Sequence, residues 1–426
     1  METRHRALVA TLTALIASNS WSVATPTDNL VPGQLLVRFQ ENSDGRAASL
    51  SMCYGATRAR TLLLPRAELW LVPEGLEETL SDLLAAEPEI LWAEPNFVYR
   101  AFATLPDDPG FSAQWGHARV HSADAWDVST GSSDVIIAIL DSGIDEGHPD
   151  LVDKIVAGYD FVDGDSDPHD LNGHGTHVAG IAAATTNNGV GIAGTSWGAR
   201  LMPIRVLDGA GNGAIADITE GIVWAYQHGA RIINLSLGGT VFSQAMQDAI
   251  TAAWEDDVLV VAAMGNSRGD GNPVNYPAAM NHVLAVSATT NSDTYAFYSQ
   301  FGGHCDLAAP GGEMSYYHDP AGIYSTMPTY PVYMTTQGLF FTNYDRVHGT
   351  SQAAPFVSGA AALILSIAPG LTPDAVQSLL EANALDLGPT GWDQDYGWGL
   401  LQIDTALHGA TVICTDGCES GDTSSW

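Results

Sequence analysis

The spacing of apolar and polar residues divides the chain into two regions of different character. Between about residues 25 and 104, strand-like runs at Gly33–Phe39 (GQLLVRF) and Ile90–Ala101 (ILWAEPNFVYRA) enclose the helical stretch Leu76–Glu87 (LEETLSDLLAAE). This pattern predicts a small α+β module. Beyond the turn at Leu105–Gly110 (LPDDPG), the runs Val135–Leu140, Leu201–Leu207, Ile232–Leu237 and Val258–Met264 are almost continuously apolar and rich in β-branched residues. Such runs suit strands buried on both faces of a parallel sheet. Amphipathic stretches at Asp217–Gly229 and Ser243–Asp256 fall between them, so residues 105–410 are expected to form an α/β domain of three α/β/α layers around a mainly parallel central sheet. Residues 411–426 are small, polar and acidic and read as a disordered tail. No internal repeat is visible.

Composition narrows the setting. With 46% hydrophobic residues and 44 glycines in 426 residues, the chain can bury a large core. Fifteen Lys and Arg against 49 Asp and Glu give a formal net charge of −34, which argues against nucleic acid or an anionic membrane as partner. The first 24 residues place Arg4 and Arg6 before an apolar run, Ala7–Ala17, and end in Ser22 and Ala24, the layout of a cleaved signal peptide. The run is too short to span a bilayer, and a secreted protein, extracellular or periplasmic, with no membrane span in the mature form is expected. Cys414 and Cys418 lie close enough to close a small loop, whereas Cys53 and Cys305 have no obvious partner.

Taken one at a time, the polar residues beside these runs have structural explanations: Asp141 could cap a turn, His174 could pack in a core, and Ser351 could start a helix. Together they form a chemical set. An Asp just past a buried strand and a His and a Ser that each open a small-residue helix can meet at the carboxyl edge of one parallel sheet. A serine hydroxyl is a weak nucleophile at neutral pH; it needs an imidazole to take its proton and a carboxylate to orient that imidazole. Asn266, just after the run Val258–Met264, could supply an amide donor to a developing oxyanion, with the Ser351 N–H as the second. Gly211 to Ala216 (GNGAIA) follow a strand as a dinucleotide-binding turn would, yet the next strand lacks the acidic residue that binds a ribose. The serine also lies in GTSQA and comes last, against the GxSxG and the Ser-Asp-His order of α/β-hydrolases.

Five motifs, in order, resemble the successive signatures of the subtilase family. They are Asp141–Leu151 (DSGIDEGHPDL), Asn172–Gly180 (NGHGTHVAG), Ile233–Gly239 (INLSLGG), Ala262–Asn266 (AAMGN) and His348–Pro355 (HGTSQAAP). The resemblance implies a subtilisin-like serine endopeptidase of the thermitase-like branch, acting on peptide and protein substrates as a monomer. Asp141, His174, Ser351 and Asn266 would be its catalytic residues. A selective processing protease and a non-catalytic binding protein on the same fold are the alternatives. The segment before Leu105 resembles the family's prodomain, a ferredoxin-like module that inhibits the enzyme intramolecularly and is cut off between Tyr99 and Leu105. Gly211, Asn212 and Gly213 on one side and Ser236, Leu237 and Gly238 on the other would pair with an extended substrate. Asn275 would line the primary specificity pocket and make it shallower. Gln352 stands where relatives carry an oxidisable methionine.

The resemblance also implies structural calcium. Backbone carbonyls of Thr186, Val190 and Ile192, the side chain of Asn188, and the carboxylates of Asp108 and Asp150 match the family's strong site, with the oxygen ligands that a hard cation requires. A second ion is expected where Asp160, Asp163, Asp165 and Asp167 crowd into eight residues and would otherwise repel.

Overall fold

The computed structural model describes residues 30–41, 43, 47–98 and 104–420, without the side chains of residue 48 and residues 412–420. The expected signal peptide and residues 99–103 of the expected cleavage segment, Tyr99 to Leu105, lie outside the described residues, as do the side chains of Cys414 and Cys418. Two compact units divide after Phe102.

The N-terminal unit runs strand, helix, strand, strand, helix, strand: β1 (Leu30–Phe39), a helix at Ala47–Cys53, β2 (Thr57–Thr61), β3 (Ala67–Leu71), a helix at Glu77–Ala85, and β4 (Ile90–Phe97). Its sheet has the order β2-β3-β1-β4 with antiparallel neighbours. This is the ferredoxin-like arrangement expected of the module. Alternation along β1 turns Leu35, Val37 and Phe39 inward, where they meet Leu80 and Leu84 from one face of the second helix.

The C-terminal unit is built on a seven-stranded sheet. Its strands are β5 (Ile136–Asp141), β6 (Tyr159–Asp160), β7 (Arg200–Arg205), β8 (Ile232–Leu235), β9 (Leu259–Ala263), β10 (Val283–Thr289) and β11 (Leu307–Pro310). They lie in the order β11-β10-β9-β8-β5-β7-β6, every neighbouring pair parallel. Alternate residues of β5 feed two cores. Ile137 and Ile139 pack toward the helices His174–Ala183 and Thr350–Ile367, while Ala138 and Leu140 pack toward the helices Ile215–Gln227 and Gln244–Glu255. The sheet is therefore covered on both faces, which is why its strands lack polar alternation.

The chain leaves β5 toward β6 and β7, then returns to build β8 to β11 on the other side of it. That reversal opens a crevice at the carboxyl ends of β5 and β8. An antiparallel pair, β12 (Ile323–Met327) with β13 (Asn343–Val347), lies outside the main sheet. Among the described residues, one helix is long and apolar enough to cross a membrane, Thr350–Ile367, and it is 83% buried inside the domain. The final helix, Ile403–Ser420, continues past residue 410 into the segment expected to be a tail.

Candidate active site

Three connections at the carboxyl edge of the sheet deliver the polar residues. Asp141 is the last residue of β5 and is fully buried. His174 is the first residue of its helix, entered through Gly173 at φ 110°, a backbone angle that glycine tolerates. Its Nδ1 lies 2.8 and 2.9 Å from the two carboxylate oxygens of Asp141. Burial pushes the imidazole downward, but the charge and hydrogen bond of Asp141, with the charge of Asp170, outweigh it and hold His174 above its ordinary value.

Ser351 is the second residue of the helix Thr350–Ile367. Its hydroxyl donates to the carbonyl of Ser236, at 3.1 Å, and among the described residues no hydrogen bond joins it to His174. Hydroxyls rotate about Cα–Cβ, and such contacts often tighten only with substrate present. Ser236 also donates its own hydroxyl to the Ser351 carbonyl at 2.8 Å, while Asn234 donates to Ser236 and accepts from Ser358, both at 2.9 Å. This buried chain fixes the serine helix to the end of β8.

Asn266 follows β9. Its Oδ1 is occupied by the N–H and hydroxyl of Thr350, so its NH2 group is left to face Gly349, where a Cβ would come within 3.3 Å of it. Gly349 has φ 156°, and a side chain there would also meet the amide oxygen of the buried Gln352 at 2.9 Å. Thr350 and Asp170 take part in this site although no motif reading singles them out by role.

A cleft of about 610 Å³ opens beside His174, lined by Gly211, Asn212 and Gly213 on one rim and Ser236, Leu237 and Gly238 on the other. Asn275 is buried, donates to the Ala263 carbonyl at 3.3 Å, and lies between two glycines, so that a Cβ on Gly238 would come within 2.4 Å of its amide and one on Gly265 within 3.2 Å of its side chain.

Asp108, Asp150 and the loop Thr186–Ile192 are brought together. Asp108 accepts from the N–H groups of Asn187 and Asn188 at 2.8 and 3.1 Å, and Asp150 from the Asn188 amide at 3.1 Å, the Ile192 N–H at 2.9 Å and the Tyr344 hydroxyl at 3.1 Å. Both acids are buried, and among the described residues neither forms an ion pair. Burial holds Asp150 above the ordinary carboxylate value despite these donors. The carbonyls of Thr186, Val190 and Ile192 accept no hydrogen bond among the described residues. Buried acids with open carbonyl oxygens form a hard donor set that fits a divalent cation.

The crowded acids from Asp160 to Asp167 are arranged otherwise. Arg205, at the end of β7, places Nη1 2.5 Å from Asp160 and 2.6 Å from Asp163. Asp165 instead accepts the N–H of Asp167 at 2.9 Å. An internal guanidinium thus relieves the repulsion between the first two acids, and the electrostatic argument for a second ion does not hold for them.

The subtilase family pattern covers residues 132–399, more than half of the chain. The chain belongs to the subtilase family. A second pattern, the fervidolysin N-terminal prodomain, covers residues 17–96. This subtilase is 37% identical over 371 residues to a thermophilic serine proteinase of Bacillus sp. (strain AK1), covering 86% of each chain. It is 42% identical over 287 residues to thermitase of Thermoactinomyces vulgaris, covering 67% of this chain and 94% of that one. A solved protease from Pseudoalteromonas arctica superposes with a TM-score of 0.65 at 34% identity, over 72% of this chain and 100% of the other. The chain is a serine endopeptidase of thermitase-like type that carries a prodomain.

Proposed function

We propose that this subtilase is exported by its N-terminal signal segment, removes its own prodomain, and cleaves extended peptides of broad sequence through an acyl-enzyme on Ser351. The observation that carries this reading is the buried Asp141 carboxylate held against His174 Nδ1 at 2.8 Å, at the head of a cleft whose wall residue Ser236 also holds the Ser351 hydroxyl. With Nδ1 committed to Asp141, Nε2 is the basic nitrogen and takes the Ser351 proton as Oγ attacks the peptide carbonyl. The carbonyl oxygen gains charge at that moment, and the Ser351 N–H and Asn266 NH2 group supply donors for it. His174 then protonates the leaving amine, and water repeats the sequence to release the acid.

In this reading the rims at Gly211–Gly213 and Ser236–Gly238 hold the substrate backbone, and Asn275, between Gly238 and Gly265, limits the depth of the primary specificity pocket. The carboxylates of Asp108 and Asp150, the Asn188 amide and the carbonyls of Thr186, Val190 and Ile192 would hold one calcium ion. Its contribution is structural, because its ligands join the start of the catalytic unit to the loop after the histidine helix. The prodomain serves as an intramolecular inhibitor until it is cut. Names such as halolysin-like extracellular serine protease among the relatives support export to the medium. Ser351→Ala tests the reading: it should abolish cleavage of a neutral peptide anilide and leave purified precursor unprocessed. Maturation of that variant at the normal rate, with no other protease present, overturns it, and a strict preference for dibasic over neutral peptides would favour a processing protease instead.

A further inference from the structure

Four residues before His174 lies a second carboxylate that no spacing rule marks. Asp170 is wholly buried, and both of its oxygens are fully engaged. Oδ1 accepts from the Ser142 hydroxyl at 2.9 Å and the N–H groups of Asn172 and Gly173 at 2.9 and 2.8 Å; Oδ2 accepts from the N–H and hydroxyl of Thr176 at 3.0 and 2.6 Å. The direction of both hydroxyls is set by their other partners. Ser142 Oγ accepts the Gly175 N–H and Thr176 Oγ1 accepts the Asp145 N–H, each at 3.0 Å, so each hydroxyl has its proton left for Asp170. Among the described residues, five donors and no acceptor face the carboxyl group, and only its ionised form can use them all.

These donors come from both halves of the Asp141–His174 pair. Ser142 follows Asp141 and donates its N–H to Asp141 Oδ1 at 2.7 Å, whereas Asn172, Gly173 and Thr176 bracket His174. Asp170 thereby ties the strand end that delivers the aspartate to the helical turn that delivers the histidine. We propose that Asp170 is a positioning residue whose buried carboxylate fixes the His174 turn against Asp141. This rests on the assignment of Asp141, His174 and Ser351 made above.

Electrostatics agrees with the geometry. The charge of Asp170 adds to that of Asp141 in raising His174 against the effect of burial. Asp170 is itself held above the ordinary carboxylate value by burial, which the hydrogen bonds from Thr176, Gly173 and Asn172 oppose. Other titratable groups facing Asp170 and His174 are His177 on the same helix, which burial lowers to about 3 and keeps neutral, Asp145 on the strand side, and His169 and Tyr330 on the outer side. The Tyr330 ring stacks on His169 at 4.3 Å and its hydroxyl donates to the Asp170 carbonyl at 3.0 Å.

The test compares kcat and kcat/KM against pH for the mature wild type, Asp170→Asn and Ser142→Ala, using a neutral peptide anilide. Asp170→Asn should lower plateau kcat roughly 10- to 100-fold with KM little changed, since a small misplacement of the base is enough for that loss. Its acid limb should also move to lower pH, because the imidazole has lost one of the charges that raise it. Ser142→Ala breaks a tie but keeps the charge, so its plateau should fall with the limb in place. An Asp170→Asn limb that superimposes on the wild type, or moves to higher pH, overturns the proposal. Should Asp170→Asn accumulate only as precursor, the His174 Nδ1–H proton resonance can be titrated there against the Ser351→Ala precursor, and an unshifted His174 overturns it equally. Failure of the underlying assignment has a different signature: turnover that survives Ser351→Ala, wherever the limb lies.

Discussion

Asn266 Oδ1 accepts two hydrogen bonds from Thr350, one from its N–H at 2.9 Å and one from its hydroxyl at 3.0 Å. The amide is therefore turned so that its NH2 group faces the backbone at Gly349 and Ser351, and the donor is aimed before any substrate arrives. Thr350 is itself held, since its hydroxyl accepts the Gly265 N–H at 3.0 Å. The loop after β9 and the start of the serine helix thus set one another's position.

That arrangement separates the donor from its orienting group by experiment. Asn266→Ala should lower kcat by about 10²- to 10³-fold with KM little changed, the magnitude known for this donor in a subtilisin rather than one derived from the present distances. Thr350→Val keeps the N–H contact but loses the hydroxyl, so a smaller fall in kcat is expected, with Thr350→Ser restoring most of it. Steady-state kinetics on one peptide anilide checks both; a loss confined to KM in either variant would refute the role.

A second outcome concerns pH and stability. The partly buried Asp306 accepts the Ala285 N–H at 2.7 Å, yet burial and the charge of Glu381 push its carboxyl up to about 7. Its folded value lies above the unfolded one, near 3.9, so between those two values the folded protein keeps a proton that the unfolded chain releases. Stability therefore falls as pH rises through that window, by about 1.4 kcal/mol per unit from this group. Asp306→Asn retains an acceptor for Ala285 and removes the charge. It should raise Tm at pH 8 and leave Tm at pH 4 unchanged, measured on enzyme inactivated by a phosphonate to prevent autolysis. A variant less stable than wild type at pH 8 contradicts this.

The residues that were legible in the sequence are those whose surroundings are local. Runs such as Val258–Met264 announce a buried strand because both neighbours on the sheet and both covering layers demand apolar side chains, and Asp141, His174 and Asn266 follow strands or open helices at the edge where sites form. What escaped the reading depends on partners distant in the chain. The β2 strand (TRART) is exposed along its whole length, so no alternation marks it. Arg205 neutralises Asp160 and Asp163 only because β6 pairs with β7, which no charge count reveals. Asn275 packs between Gly238 and Gly265 because neither glycine carries a Cβ, a contact between separate connections of the sheet. Asp170 was invisible for a similar reason: its donors include Ser142, 28 positions away across the end of β5.

The cation site gives the last prediction. Asp150 is fully buried, its carboxylate engaged by an amide, an N–H and a phenol but by no ion pair among the described residues, and Asp108 reaches the same Asn188 from the segment just after the N-terminal unit. Two buried acids that meet at one short loop repel and lose hydration, and those costs fall when a divalent cation binds between them. An ion that binds only the folded state adds about 2.7 kcal/mol at 100 times its Kd. Calcium should accordingly raise Tm and slow autolysis of the mature enzyme, and EDTA should reverse both. Asp150→Ala should lose most of the calcium dependence of Tm while a phosphonate still labels Ser351, because the acid lies at the Thr186–Ile192 loop and makes no hydrogen bond to the triad. Asp108→Ala should have the same signature, as its partners lie in that loop too. If EDTA moves neither Tm nor the autolysis rate of the wild type, these residues form a hydrogen-bonded clasp without an ion, and both substitutions should then destabilise the enzyme equally with and without calcium.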